Sequence, residues 1–159
     1  MPKPVNPRSI APPSSRYAHG IVHSARARRL VISGQIGKGL DGHVPSGLAE
    51  QMELAWDNIT AILIEAGMSI SDLVKISVFV TVPGSVGLYR TIRDRRLGGH
   101  LCAATYLEVS ALAAPGLLFE IEGEAVCEEP DEAFLELPQE DDVFSGRTTG
   151  SAPARAEPR

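Results

Sequence analysis

Three glutamates, Glu120, Glu122 and Glu124, alternate with Phe119, Ile121, Gly123 and Ala125 in the run FEIEGEAV. In an extended strand this spacing puts the carboxylates on one face and the apolar groups on the other. A solvated acidic face over an apolar one is the simplest outcome. The chemical alternative is that one glutamate lines a pocket and handles protons or water, because a carboxylate set against apolar walls suits general acid/base work. The stretch LCAATYLEV, residues 101–109, alternates in the same way, with Ala104, Tyr106 and Glu108 opposite Ala103, Thr105, Leu107 and Val109. Its entrance carries two alanines, Ala103 and Ala104, where a ligand-binding strand would place a charge.

Other reactive side chains are scattered. His100 lies four residues before Ala104, after a Gly-Gly pair, and a loop histidine beside a pocket strand can carry protons. Lys38 sits in a glycine-dense loop. Arg90, Arg93, Arg95 and Arg96 crowd one segment and read as a solvated helix face. His19, His23 and His43 read as surface or turn residues. Cys102 and Cys127 lie in apolar strand-like segments and read as small buried hydrophobes in a reducing cytoplasm. Neither the cysteines nor the histidines have metal-ligand spacing, so no metal and no cofactor is expected.

The elements that must position these groups follow from periodicity. YAHGIV (17–22) and RLVISGQ (29–35) read as two short strands joined by a turn. Ser46 is placed to cap a helix, with Glu50 in its first turn. Leu48, Met52, Ala55, Trp56, Ile59, Ile62, Leu63 and Ala66 recur in steps of three and four, which predicts an amphipathic helix stopped by Gly67. Residues 71–82 are dense in β-branched side chains and alternate, as a half-buried strand does. VGLYRTIRDRRL (86–97) predicts a second helix, ended by Gly98-Gly99, and AATYLEVSAL and LLFEIEGEAVC two more strands. The order β-β-α-β-α-β-β implies an α+β domain with a single sheet and both helices on one face. The other face of the sheet is not strongly polar, which predicts contact with another subunit.

A chain of 159 residues suffices for one domain with a true core, and its apolar fraction of 43% is that of a globular protein. Residues 1–15 read as an irregular Pro-rich arm, 16–127 as the folded body, and 128–159 as an acidic, disordered tail in which FLEL (134–137) is the one segment able to dock. The net charge of −5 belongs to the tail: residues 128–159 hold nine acids and three bases, and residues 1–127 eleven acids and twelve bases. A nearly neutral body lacks the concentrated basic surface that nucleic acid requires. No run approaches the roughly 18 apolar residues that span a bilayer, and the N-terminus has no apolar signal core, so a cytoplasmic location is expected.

ISGQIG (32–37), AWDNI (55–59), LVKISVFV (73–80), LEVSAL (107–112) and FEIEGEAV (119–126) occur in the order found in the RidA/YjgF family, which the chain resembles over roughly 17–127. The resemblance implies a chorismate-mutase-like α+β fold of the bacillus type, a homotrimer with clefts between subunits, and hydrolysis of reactive enamines and imines. The family has also been described as a translation-inhibiting endoribonuclease. By position, the resemblance implies Glu120 as the acid that orients hydrolytic water. It implies Tyr17, Ser33, Gly34, Ala104, Thr105 and Tyr106 as substrate-binding positions. The family arginine that would precede Thr105 is absent, and Ala104 stands there. An ungapped count puts Arg90 near the position of a family asparagine.

In the family, that arginine forms a bidentate pair with the carboxylate of a 2-imino acid. Breaking a desolvated charge pair from one side costs roughly 3–5 kcal/mol. The expected substrate is therefore a small imine or enamine that is not a standard 2-imino acid, unless Arg90 or His100 compensates. On the same expectation, Ala104→Arg would create activity on short 2-imino acids. The alternative is a non-catalytic trimer that binds a small metabolite or a protein through the same clefts. An endoribonuclease ranks below both, because the body offers phosphate little attraction.

Overall fold

The computed structural model describes residues 2–127. The acidic tail, including FLEL, lies outside the described residues. Eight regular elements follow one another: strands β1 (Lys3–Val5), β2 (Gly20–Val22) and β3 (Arg28–Ile36), helix α1 (Leu48–Glu65), strand β4 (Leu73–Val80), helix α2 (Val86–Leu97), and strands β5 (Ala103–Glu108) and β6 (Phe119–Cys127). A single 3₁₀ turn, Ile70–Asp72, leads into β4.

The main sheet has four strands in the order β3-β6-β4-β5. β6 is antiparallel to both β3 and β4, and β4 is parallel to β5. Two crossovers, β3-α1-β4 and β4-α2-β5, therefore step in the same direction across the sheet. Parallel crossovers are right-handed almost without exception, so both helices must land on one face. The core lies there: Met52, Trp56, Ile59 and Leu63 of α1 meet Ile76, Val78 and Val80 of β4 and Phe119 and Ile121 of β6. Each such side chain stabilises the fold by roughly 1.5–3 kcal/mol through burial. β4 alternates as its sequence predicts, with Val74, Ile76, Val78 and Val80 buried and Lys75, Ser77 and Phe79 half-buried.

Three local expectations are corrected. β2 does not pair with β3: it pairs antiparallel with β1, in a separate ribbon outside the main sheet. The N-terminal arm is thus not wholly irregular, and Asn6 Oδ1 ties it down by accepting the His19 amide at 2.9 Å. The N-cap of α1 is Gly47, not Ser46, and it makes no side-chain cap bond. A Cβ on Gly47 would fall 2.7 Å from Glu50 Oε2, so the first-turn carboxylate occupies the space a capping side chain would need. Gly67 does stop α1, in the left-handed conformation (φ 65°) open to glycine.

Candidate functional site

The register decides which side chains share a face. Phe79 of β4 is paired with Glu120 of β6 and with Leu107 of β5, so these three lie on the open face, away from the helices. Ala104 and Tyr106 are paired with Ile76 and Val78, so they lie on the helix-covered face and pack on the core. The predicted site residues therefore divide between the two sides of the sheet.

On the open face, β3 carries one extra residue between Ile32 and Gln35, a bulge at Ser33-Gly34. A strand glycine often marks such a bulge or a close approach, and Gly34 does both: a Cβ there would fall 1.9 Å from Glu120 Oε1. The half-buried Glu120 carboxylate thus lies directly over the bulge. Among the described residues it has no ion-pair or hydrogen-bond partner. Phe79, Val109, Ala111 and Leu112 wall the shallow hollow beside it. Ser33 is exposed at the bulge. Thr105 also faces this side, where it accepts a hydrogen bond from Lys75 Nζ at 2.6 Å.

On the helix face, Tyr17, Ala104, Tyr106 and Arg90 line a hollow of about 170 Å³ together with Tyr89 and Arg93. Tyr17 gets there because its chain runs along the start of β5: Ala18 N donates to Cys102 O at 3.1 Å, and Ala18 bridges Ala103. The Tyr106 hydroxyl lies 2.9 Å from Ser85 Oγ, and the ring packs on Tyr89 with centroids 5.1 Å apart. Burial raises the proton affinity of the Tyr106 phenol, an effect the Ser85 hydrogen bond opposes. Beneath the hollow, burial pushes the Cys102 thiol up to about 11, which keeps it a neutral, inert group.

His100 is not a member of either hollow. Its Nε2 lies 2.6 Å from Leu73 O, a contact that fastens the loop to β4. The reading of four arginines as a solvated face holds for Arg90 and Arg95, which are exposed, and fails for Arg93 and Arg96. Arg95 and Arg96 are tied to Glu53 of α1, and Arg96 Nη1 also donates to Asp57 Oδ1 at 2.6 Å. Arg93 is 3% exposed, and its Cζ stands 5.4 Å from the Tyr89 ring centroid. Only Arg90 is exposed without such a tie. Tyr89 and Arg93 are the residues that sequence reasoning missed. The signal was present, since position 93 continues the buried stripe of Tyr89, Ile92 and Leu97. Arg90 and Arg93, both of α2, are the two cations that line the hollow with Ala104. Among the described residues no cluster of histidine, cysteine and carboxylate side chains could hold a metal ion, and no helix is long and apolar enough to cross a membrane.

Comparison with known proteins agrees with this fold. Residues 8–127 match the sequence model of the endoribonuclease L-PSP family. A curated relative, the reactive intermediate deaminase TdcF of Escherichia coli K12, so far assigned only provisionally, is 38% identical over 40 residues, 25% of this chain and 31% of that protein. The chain thus spans less than a third of that relative's length. The crystal structure of YyfB, a conserved Rid-family protein of Yersinia pestis, superimposes with a TM-score of 0.73 at 25% identity, covering 79% of this chain and 98% of that one. The YjgF gene product of Escherichia coli gives 0.59 at 29% identity, covering 70% and 88%. The fold is the chorismate-mutase-like one of these proteins, and the chain belongs to the RidA/YjgF family, whose sequence model carries the endoribonuclease L-PSP description.

Proposed function

We propose that this protein hydrolyses small reactive imines or enamines, releasing ammonia, in clefts completed between the copies of a homotrimer. The observation that carries the reading is the Glu120 carboxylate, unpaired among the described residues and held over the Gly34 bulge in a hollow whose lining is apolar apart from Glu122. In the proposed step Glu120 takes a proton from water as the water oxygen attacks the C=N carbon, and passes that proton to the substrate nitrogen. The resulting carbinolamine collapses as Glu120 moves the hydroxyl proton to the same nitrogen: the C–N bond breaks, and a carbonyl compound and ammonia leave. An enamine enters by tautomerising to the imine. The bulge backbone and Ser33 are proposed to hold the substrate at the open face, while Tyr17 and Tyr106 shape the opposite wall from a neighbouring copy.

Assembly is supported by the division of the site. One chain cannot place the Glu120 face and the Tyr17–Ala104–Tyr106 hollow on the same ligand, because they flank opposite sides of the sheet. The open face also carries apolar groups a lone copy would leave in water, with Val31 66% and Leu107 48% exposed. The endoribonuclease reading has less support, because residues 1–127 hold eleven acids and twelve bases.

The test is ammonia release from a panel of imines generated in situ, some neutral and some bearing a carboxylate. Wild type is expected to speed release from at least one, and Glu120→Gln to slow it by about a hundredfold or more, the scale of a lost general base. Equal rates for the two proteins on every imine would refute the proposal. Ligand binding in the clefts with no turnover of any imine would leave the non-catalytic metabolite-binding trimer.

A further inference from the structure

Of the five stretches that carry the family resemblance, AWDNI (55–59) is the one that places no side chain at the Glu120 bulge or in either hollow. Ala55, Trp56 and Ile59 are buried in the core, and Asp57 accepts from Arg96. Asn58 is half-buried on α1 and reaches the end of β3. Its Nδ2 donates to Ile36 O at 3.1 Å and to Lys38 O at 3.2 Å. Both protons of the amide group are thereby committed to backbone carbonyls.

The end of β3 needs such a hold. Among the described residues β3 is an edge strand, paired only with β6. The bulge at Ser33-Gly34 interrupts that pairing, and beyond it two pairs remain, Gln35 with Ile121 and Ile36 with Glu120. So short a ladder at a sheet edge opens easily unless something else fastens it. Ile36, whose carbonyl Asn58 holds, is the residue aligned with Glu120 itself. Between the two held carbonyls, Gly37 lies so close to α1 that a Cβ on it would fall 2.4 Å from Gln51 Cα. That obstacle is backbone and cannot swing aside. α1 fastens the other strand as well, since Gln51 Oε1 accepts from Leu118 N at 2.8 Å, two residues before Glu120. One helix thus holds both strands whose meeting puts the carboxylate over Gly34.

We infer that Asn58 is a positioning residue for Glu120. By holding the carbonyls on either side of Gly37 it locks the last two pairs of β3 onto β6 and keeps the bulge beneath the carboxylate. It acts through the backbone, from the helix-covered side of the sheet, and touches no substrate. The inference deepens the proposed function and rests on it for the turnover measurements alone; the placement of the bulge is read separately.

Asn58→Ala removes both donors and puts a better helix former on α1, so it is expected to fold. In the ammonia assay kcat is expected to fall by about tenfold or more while KM stays within about twofold, the pattern of a displaced reacting group. The same substitution made in Glu120→Gln is expected to leave the residual rate unchanged, because the group it positions is already gone. A purely stabilising role would instead lower the urea midpoint and leave the kcat of the folded protein alone. Asn58→Gln carries the same donors one methylene further out, so the carbonyls stay satisfied while the end of β3 is pushed. It is expected to lower kcat several-fold, and it serves in place of the alanine variant if that one does not fold. Wild-type kcat in the folded variant, or an equal fold-loss in the Glu120→Gln background, would overturn the role. Backbone amide resonances of the full-length protein give the reading that needs no turnover. Those of Ser33, Gly34 and Glu120 are expected to move in the folded Asn58 variant, while those of Ala104 and Tyr106 in β5 keep their places. If wild type releases ammonia from no imine, the hydrolase fails and the resonances decide the placement alone. Bulge amides that stay where they were would overturn it.

Discussion

Glu120 lies so close over Gly34 that a side chain there would collide with it, and the physics of that approach yields a sharp expectation. A Cβ on Gly34 would fall 1.9 Å from Glu120 Oε1 but 2.9 Å from Cδ and 3.2 Å from Cγ. The obstacle is the free end of a flexible side chain, so a methyl group can be admitted by swinging the carboxylate away. Gly34→Ala should therefore change unfolding free energy by less than about 1 kcal/mol, while ammonia release falls to the level of Glu120→Gln. Denaturant unfolding and the ammonia assay, run on the same preparation, check both halves. Unchanged turnover would mean that the carboxylate need not occupy the bulge. Alternation put Glu120 on one face with Glu122 and Glu124 but did not choose among them; the family resemblance singled out Glu120 and Gly34 by position. Arg93 and Tyr89 were not read, because a guanidinium within RTIRDRR looks like its solvated neighbours unless its place in the buried stripe is weighed. The loss at position 104 was visible at once, but the guanidinium groups that line the same hollow belong to another element, and a motif compared position by position cannot register them.

At the scale of elements, Gln51 fastens the first turn of α1 to the loop that delivers β6. Its Nε2 donates to Pro45 O at 2.7 Å and to Gly116 O at 2.8 Å, and its Oε1 accepts from Leu118 N at 2.8 Å. The side chain is wholly buried, so no water can take over these bonds. Gln51→Leu keeps most of the volume and strands two carbonyls and one amide, which should cost about 2–4 kcal/mol. A lowered urea midpoint with an unchanged slope is the expected result. Because Leu118 immediately precedes β6, the same variant should also lose part of its turnover at concentrations where it remains folded. Periodicity foretold α1, α2, β4, β5 and β6, since each is long enough to display its repeat. It could not foretell Gln51, whose partner lies 65 residues away. It also joined β2 to β3, although β2 is only three residues long and pairs with β1. So short a run carries no register of its own.

For the whole molecule, the two-sided sheet turns an assembly question into a counting experiment. If a working site takes Glu120 from one copy and the helix-face hollow from its neighbour, a variant damaged in either half is inactive as a pure trimer. Glu120→Gln supplies one such protein, and Ala104→Glu, whose carboxylate fills the hollow, the other. Unfolded separately, mixed in equal amounts and refolded together, the copies assort at random. A cleft then works only when its Glu120 comes from the second variant and its hollow from the first, so about a quarter of wild-type activity should return. A site contained within one chain would recover nothing, because every chain in the mixture carries a lesion. Sedimentation of the mixture checks that the trimers have formed, which separates a failure of assembly from a failure of complementation. The register makes the outcome specific: Glu120 is aligned with Phe79 and Leu107 on the open side, Tyr106 with Val78 on the covered side, and no rotation of side chains within one sheet brings the two together.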